Sequence, residues 1–272
     1  MAPIIRHLTI APGDRQSACD LLSAETGLSR SKIKEAMAKG AVWLEKKKGK
    51  RRRLRRATAI PQTGNILTLY YDETLLALVP PGARCLHDQG HYSVWHKPAG
   101  LMSQGTEYGD HCSLLRQAEL FFHPQRLVFL VHRLDREAEG LMLIAHSKEA
   151  AGKLSTLFQQ NLIRKSYLVE VRGNLFAREE TKIDIPLDNK PAQTEYQVLS
   201  HDPRSNTSKA VVRIKTGRLH QIRRHFDLIG FPVMGDPRYG SGNKTSRGLQ
   251  LIAAELLYIC PFTERETVFS LL

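Results

Sequence analysis

The segment HRLDREAE, residues 132–139, sets one carboxylate, Asp135, between Arg133 and Arg136 at the end of the apolar run LVFLV. A glycine and a second apolar run, GLMLIAHS, follow at once, so the acidic side chain falls where one predicted strand hands over to the next. Such a connection is held rigid by its strands yet open to substrate. Flanking cations favour the ionised carboxylate, and an ionised Asp is better suited to nucleophilic attack than to proton donation. On these eight residues alone, a salt-bridged surface turn explains the sequence equally well.

The 272 residues are 42% hydrophobic and 25% charged, which fits a globular protein with one sizeable domain and a smaller one. A formal net charge of +13 points to a polyanionic partner, because Lys and Arg gain affinity for phosphates by releasing counterions. The excess is uneven. Residues 1–80 carry 15 Lys and Arg against 7 Asp and Glu. Cys19, Cys85, Cys112 and Cys260 lie far apart, so neither a disulfide scaffold nor a zinc site is expected, and a reducing cytoplasm fits. The trio His87, His91 and His96 lacks Cys or carboxylate company, so no metal is expected. No leader pattern or membrane-length apolar stretch is visible, and a monomer is expected.

Residues 14–26 place Ala18, Leu21 and Leu22 at helical spacing before Gly27, and RSKIKEAMAKG reads as a second helix behind Ser29 as N-cap. AVWLE, the block KKKGKRRRLRR and NILTLYYD then read as a hairpin saturated with cations. This order resembles the alpha-L RNA-binding motif first known from a ribosomal small-subunit protein. The resemblance covers residues 14–73. It implies that Arg30, Lys32 and Lys34, with Lys50, Arg51, Arg52, Arg53 and Arg55, grip phosphates of a structured RNA. Three segments are expected: a small α/β RNA-binding domain over 1–76, a linker over 77–90 around Pro80-Pro81-Gly82, and a catalytic domain over 91–272.

In the second part, SKEAAGKLSTLFQQ predicts a helix starting at Ser147, and RKSYLVEVRG an alternating strand with Lys165 and Tyr167 on one face. TEYQVLS and AVVRIKT read as further strands. TGRLHQIRRHFDLIG puts Leu219, Ile222, Phe226 and Ile229 on one helix face and His220, Arg223 and Asp227 on another. Many strands, few helices and no repeating βα unit predict a mixed, largely antiparallel α+β domain.

The segments HKPAGLMS, VHRLDREAEGLMLIA, RKSYLVEVRG, PAQTEYQVL, TGRLHQIRRHFDLIGFPVMGDPRYG and LIAAELLYICPF, in this order, resemble the RluA family of pseudouridine synthases over residues 93–262. The resemblance implies isomerisation of a uridine in structured RNA, ribosomal RNA before transfer RNA, with no cofactor. It makes Asp135 the catalytic residue, attacking at the sugar or the base carbon. It makes Tyr167 the residue packed on the base and an aid in removing its proton, and Arg223 the partner of the carboxylate. Arg133 would lie near the flipped nucleotide, with Lys97, Lys165, Arg218 and His220 as further substrate contacts. Turning the base out of a helix costs a few kcal/mol, which phosphate contacts can offset.

The chain departs from the family pattern at two places. Ala138 and Glu139 stand where a Thr-Ser pair is usual, and Glu139 would weaken Asp135 as a nucleophile if it pointed inward. Leu219 stands where Thr or Ser is common and is expected to affect packing only. The departure at Glu139 keeps open an inactive RNA-binding or ribosome-assembly protein on the same scaffold. A glycoside hydrolase would need a second carboxylate in a similar setting, and none is evident.

Overall fold

A computed structural model describes residues 2–46 and 49–272. Lys47 and Lys48 of the basic block lie outside the described residues. The chain divides into two compact units, Met1–Pro80 with Gln104–Gln117, and Pro81–Ser103 with Ala118–Leu272.

In the first unit, β1 (Ile4–Thr9), α1 (Ala18–Thr26), α2 (Arg30–Ala38), β2 (Val42–Glu45), β3 (Arg52–Arg53), β4 (Ile66–Tyr71) and the short α3 (Glu73–Leu76) follow in order. The sheet order is β1-β4-β2-β3. Both helices start at serine caps: Ser17 accepts from the Asp20 N–H and Ser29 from the Lys32 N–H. Gly27, at φ +71°, ends the first as expected. Leu22, Ile33, Met37, Leu67 and Leu69 are fully buried between helices and sheet. The sequence reading missed β1, whose pattern IIRHLT is too exposed to look like a strand.

The second unit contains β5 (Arg84–Asp88), β6 (Tyr92–Lys97), β7 (Phe129–Leu130), β8 (Glu139–Ala145), β9 (Arg164–Arg172), β10 (Lys182–Ile183), β11 (Thr194–Asp202), β12 (Thr207–Ile214), β13 (Leu251–Ile259) and β14 (Glu266–Ser270). Its helices are α4 (Leu114–Phe121), which begins in the first unit's segment, α5 (Lys148–Gln159), capped by Ser147 as expected, and α6 (Gln221–Leu228). The sheet runs β10-β11-β12-β9-β13-β8-β6-β5, with β14 on β13 and β7 on β8. Among the described residues every strand pair is antiparallel except β13 with β8, so the α+β, largely antiparallel expectation describes this unit.

Two boundaries differ from the sequence reading. Residues 84–88, expected within a linker, pair with β6. Residues 104–117 pack with the first unit, because the Asp110 N–H bonds the Lys39 carbonyl and its carboxylate takes Arg53 and Arg55.

The loop between β7 and β8 carries Asp135, and three devices hold it. Ser103 Oγ both donates to the Leu134 carbonyl (2.8 Å) and accepts from its N–H (3.0 Å). Gly140 sits at φ +125°, pressed against Ala253, where a Cβ would lie 2.3 Å from the carbonyl oxygen. Lys97, expected as a phosphate contact, is instead fully buried. Its ammonium donates to the carbonyls of Pro98, Leu101, Arg136 and Ala138 at 2.5–3.3 Å. Burial pulls its pKa down to about 8, against the acidic side chains of the loop. Four carbonyls turned inward by Pro98 and the loop need a donor, and Lys97 supplies it.

Gly140→Ala should lower the unfolding free energy by about 2–4 kcal/mol in a urea titration, since both φ and space oppose a side chain. Lys97→Met should destabilise by about 3 kcal/mol through the orphaned carbonyls while leaving the salt dependence of RNA binding unchanged. A phosphate contact would give the opposite pair of results.

Candidate active site

Strand β9 alternates its side chains, so Lys165 and Tyr167 face one side while Ser166 points to Glu255 on the other. The first face, the loop 132–138 and the start of α6 line a half-open cavity of about 680 Å³. Asp135, Arg133, Lys165, Tyr167, Arg218, His220 and Arg223 all line it. The structure thus brings together seven of the eight residues singled out for catalysis or substrate. Lys97 is the exception.

Arg223 is 1% exposed, not on a solvated helix face. Its Nη1 donates to Asp135 Oδ2 (2.9 Å), and its Nε and Nη2 donate to Asp236 (2.7 and 2.8 Å). Burial opposes the guanidinium charge, but the hydrogen bonds of Asp236 and Asp135 outweigh it and hold Arg223 protonated. Burial likewise opposes the charge of Asp236. Arg223 and the N–H groups of Arg238 and Tyr239 overcome that and keep its carboxyl below the usual range. Glu137 Oε2 also approaches Arg223, at 3.7 Å.

The neighbours of Asp135 in sequence play no such part. Arg133 is exposed at the cavity, and the Arg136 carbonyl serves Lys97 and Gly100. Glu139 opens β8 and does not line the cavity.

Tyr167 is half-buried, and burial together with the charge of Asp135 pushes its hydroxyl well above the usual range. The hydroxyl is protonated at neutral pH. His132 stacks on Phe158 at 4.1 Å, its Nε2 accepts from the Leu143 N–H (3.0 Å), and burial brings its pKa down to about 3. It stays neutral and ties the loop to β8.

At the start of α6, Gln221 Oε1 accepts from the Arg218 N–H (3.0 Å) and the Thr216 hydroxyl (2.7 Å), while Arg218 Nε donates to the Pro191 carbonyl (3.0 Å). His220 takes φ +52°, so the helix begins only at Gln221. Leu219 therefore lies before the helix, 62% exposed at the cavity, and not in the packing where helical spacing placed it. Asp236, Glu137 and Tyr239 escaped the sequence reading. The segment GDPRYG holds two of them, and no periodicity there marks either as a site residue.

In the first unit the expected RNA-gripping residues divide. Arg53 and Arg55 converge on Asp110, Arg51 pairs with Glu107 at 2.9 Å, and Arg51 and Arg53 lie over the Trp43 ring at 4.6 and 4.2 Å. Lys34, Lys50 and Arg52 are exposed. Arg30 and Lys32 are engaged at the surface by Asp20 (2.7 Å) and Glu73 (2.8 Å). Among the described residues, no cluster of three His, Cys, Asp or Glu is placed to hold a metal, and no helix is long and apolar enough to cross a membrane.

Residues 91–228 match the RNA pseudouridylate synthase family. The dual-specificity RNA pseudouridine synthase RluA of Vibrio parahaemolyticus is 31% identical over 201 residues, covering 66% of this chain and 79% of the relative. An uncharacterized RNA pseudouridine synthase of Mycoplasma pneumoniae is 29% identical over 275 residues, covering 92% of this chain and 86% of its own. The structure of human RNA pseudouridylate synthase domain containing 1 shares the fold, with a TM-score of 0.58 over 71% of this chain and 85% of that one, at 23% identity. The chain belongs to the RNA pseudouridine synthases, in the RluA family.

Proposed function

We propose that Asp135 carries the uridine-to-pseudouridine isomerisation of this family on a base turned out of a structured RNA. The observation that supports this most is the 2.9 Å bond from the buried Arg223 to Asp135, at a cavity of nucleotide size. A permanently charged arginine keeps the carboxylate oriented, and the walls of the half-open cavity hold the uracil between cleavage and reattachment. Tyr167 supplies the aromatic surface against which the base rests. Arg133, Arg218 and Lys165 surround the nucleotide with positive charge.

Large-subunit ribosomal RNA is the first substrate to test and transfer RNA the second. The designation of the RluA relatives as dual-specificity supports testing both. The first unit is proposed to grip the RNA backbone in the manner of an alpha-L motif, through Arg30, Lys32, Lys34, Lys50 and Arg52 at its surface. Arg53 and Arg55 serve its fold.

Incubation with RNA tritiated at uridine C5 should release tritium, and Asp135→Asn should abolish release with RNA affinity kept within about twofold. Release by the variant would remove Asp135 from the chemistry. Arg52→Gln should reduce the slope of log affinity against log salt by roughly one ion, whereas Arg53→Gln should lower the urea midpoint.

A further inference from the structure

We propose that His220 Nε2 is the base that takes the proton from uracil C5 once the new bond from C5 to C1′ has formed. The inference rests on the assignment of Asp135 as the reacting carboxylate. At that stage C5 is tetrahedral, carrying both the sugar and its original hydrogen, and the ring holds a double bond between C6 and N1. The C5–H bond breaks and its proton goes to Nε2. The freed electron pair forms the C5–C6 double bond, the C6–N1 pair moves onto N1, and N1 takes up a proton. Nothing is oxidised or reduced, and the imidazole is restored when it passes its proton to N1 or to water.

The cavity offers few bases for this step. Tyr167 is held protonated by burial and by Asp135, so its oxygen is a poor acceptor. The Nε2 lone pair of His132 already accepts from the Leu143 N–H. The arginines have no lone pair to offer. His220 Nε2 lies 3.8 Å from Asp135 Oδ1, too far for a hydrogen bond yet beside the reacting group. Its other nitrogen, Nδ1, sits 3.0 Å from Tyr239 Oη. The tautomer that donates Nδ1–H to that oxygen leaves the lone pair on Nε2, the nitrogen beside Asp135.

The surroundings suit a base that is neutral before the step and charged after it. Burial keeps the ring below the usual histidine range, helped by Arg223 and Arg238, while Asp135 and Asp236 pull the other way and stabilise the imidazolium once it forms. The backbone holds the residue at φ +52°, a costly conformation for a non-glycine that aims the ring into the cavity.

The test uses single-turnover pseudouridine formation on RNA carrying protium or deuterium at the target C5. His220→Asn tolerates a positive φ, so the fold is kept. It should slow the reaction by about 100-fold or more and should gain a primary isotope effect absent from the wild type. His220→Gly, equally at ease at that φ, should be partly rescued by added imidazole. Tyr167→Phe and Lys165→Met should gain no isotope effect, whatever their rates. A His220→Asn rate within about threefold of wild type, or a slow variant without an isotope effect, would overturn the proposal. So would transfer of the isotope effect to the Tyr167 or Lys165 variant. Absence of pseudouridine with the wild-type protein would instead strike the assignment of Asp135 on which this inference stands.

Discussion

A single buried guanidinium organises the site. Arg223 gives two hydrogen bonds to Asp236 and one to Asp135, joining helix α6 to the segment after it and to the loop between β7 and β8. Burying a charge without partners is prohibitive, so Arg223 can occupy its place only if both carboxylates are in theirs. Asp236 is fixed in turn by two backbone N–H groups, and Lys244 holds the Asp236 carbonyl. Gly235, where a Cβ would meet the Gly248 carbonyl oxygen at 1.7 Å, lets the segment come close enough. The direction of the proposed reacting carboxylate is therefore set by residues about a hundred positions away.

Positive charge does two kinds of work in this chain. Lys97 and Arg223 are buried and satisfy inward-facing oxygens, and Arg53 and Arg55 neutralise Asp110 within the first unit. Lys97 and Arg223 are thereby withdrawn from the surface, and Arg53 and Arg55 are already engaged by a carboxylate. The net charge of +13 still favours a polyanionic partner, but the cations left for it are the exposed ones, and their number is smaller than the sequence suggests.

The convergence of Asp135, Tyr167 and Arg223 on one cavity was legible, Tyr167 from strand alternation and all three from the ordered set of family-like segments. Lys97 was misread because its role depends on which carbonyls turn inward, and a backbone acceptor leaves no mark in the sequence. Leu219 was misplaced because the apolar spacing continues past the true helix start, while the positive φ of His220 has no side-chain signature. Residues 104–117 were placed in the wrong unit because their attachment is a tertiary ion pair, Asp110 with Arg53 and Arg55, and not a local pattern. Asp236 was within reach: the Gly-Asp-Pro segment shortly after Arg223 is a natural place for that arginine's second partner.

Asp236 is joined to Asp135 through Arg223, and the proposed chemistry depends on that link. That dependence is tested by single-turnover rates of Asp236→Asn, Arg223→Gln and the double variant, each with intact RNA affinity. If Asp236 works only by holding Arg223, the double variant should be no slower than Arg223→Gln alone. Rate losses that add in the double variant, or an Asp236→Asn protein as fast as wild type, would contradict it.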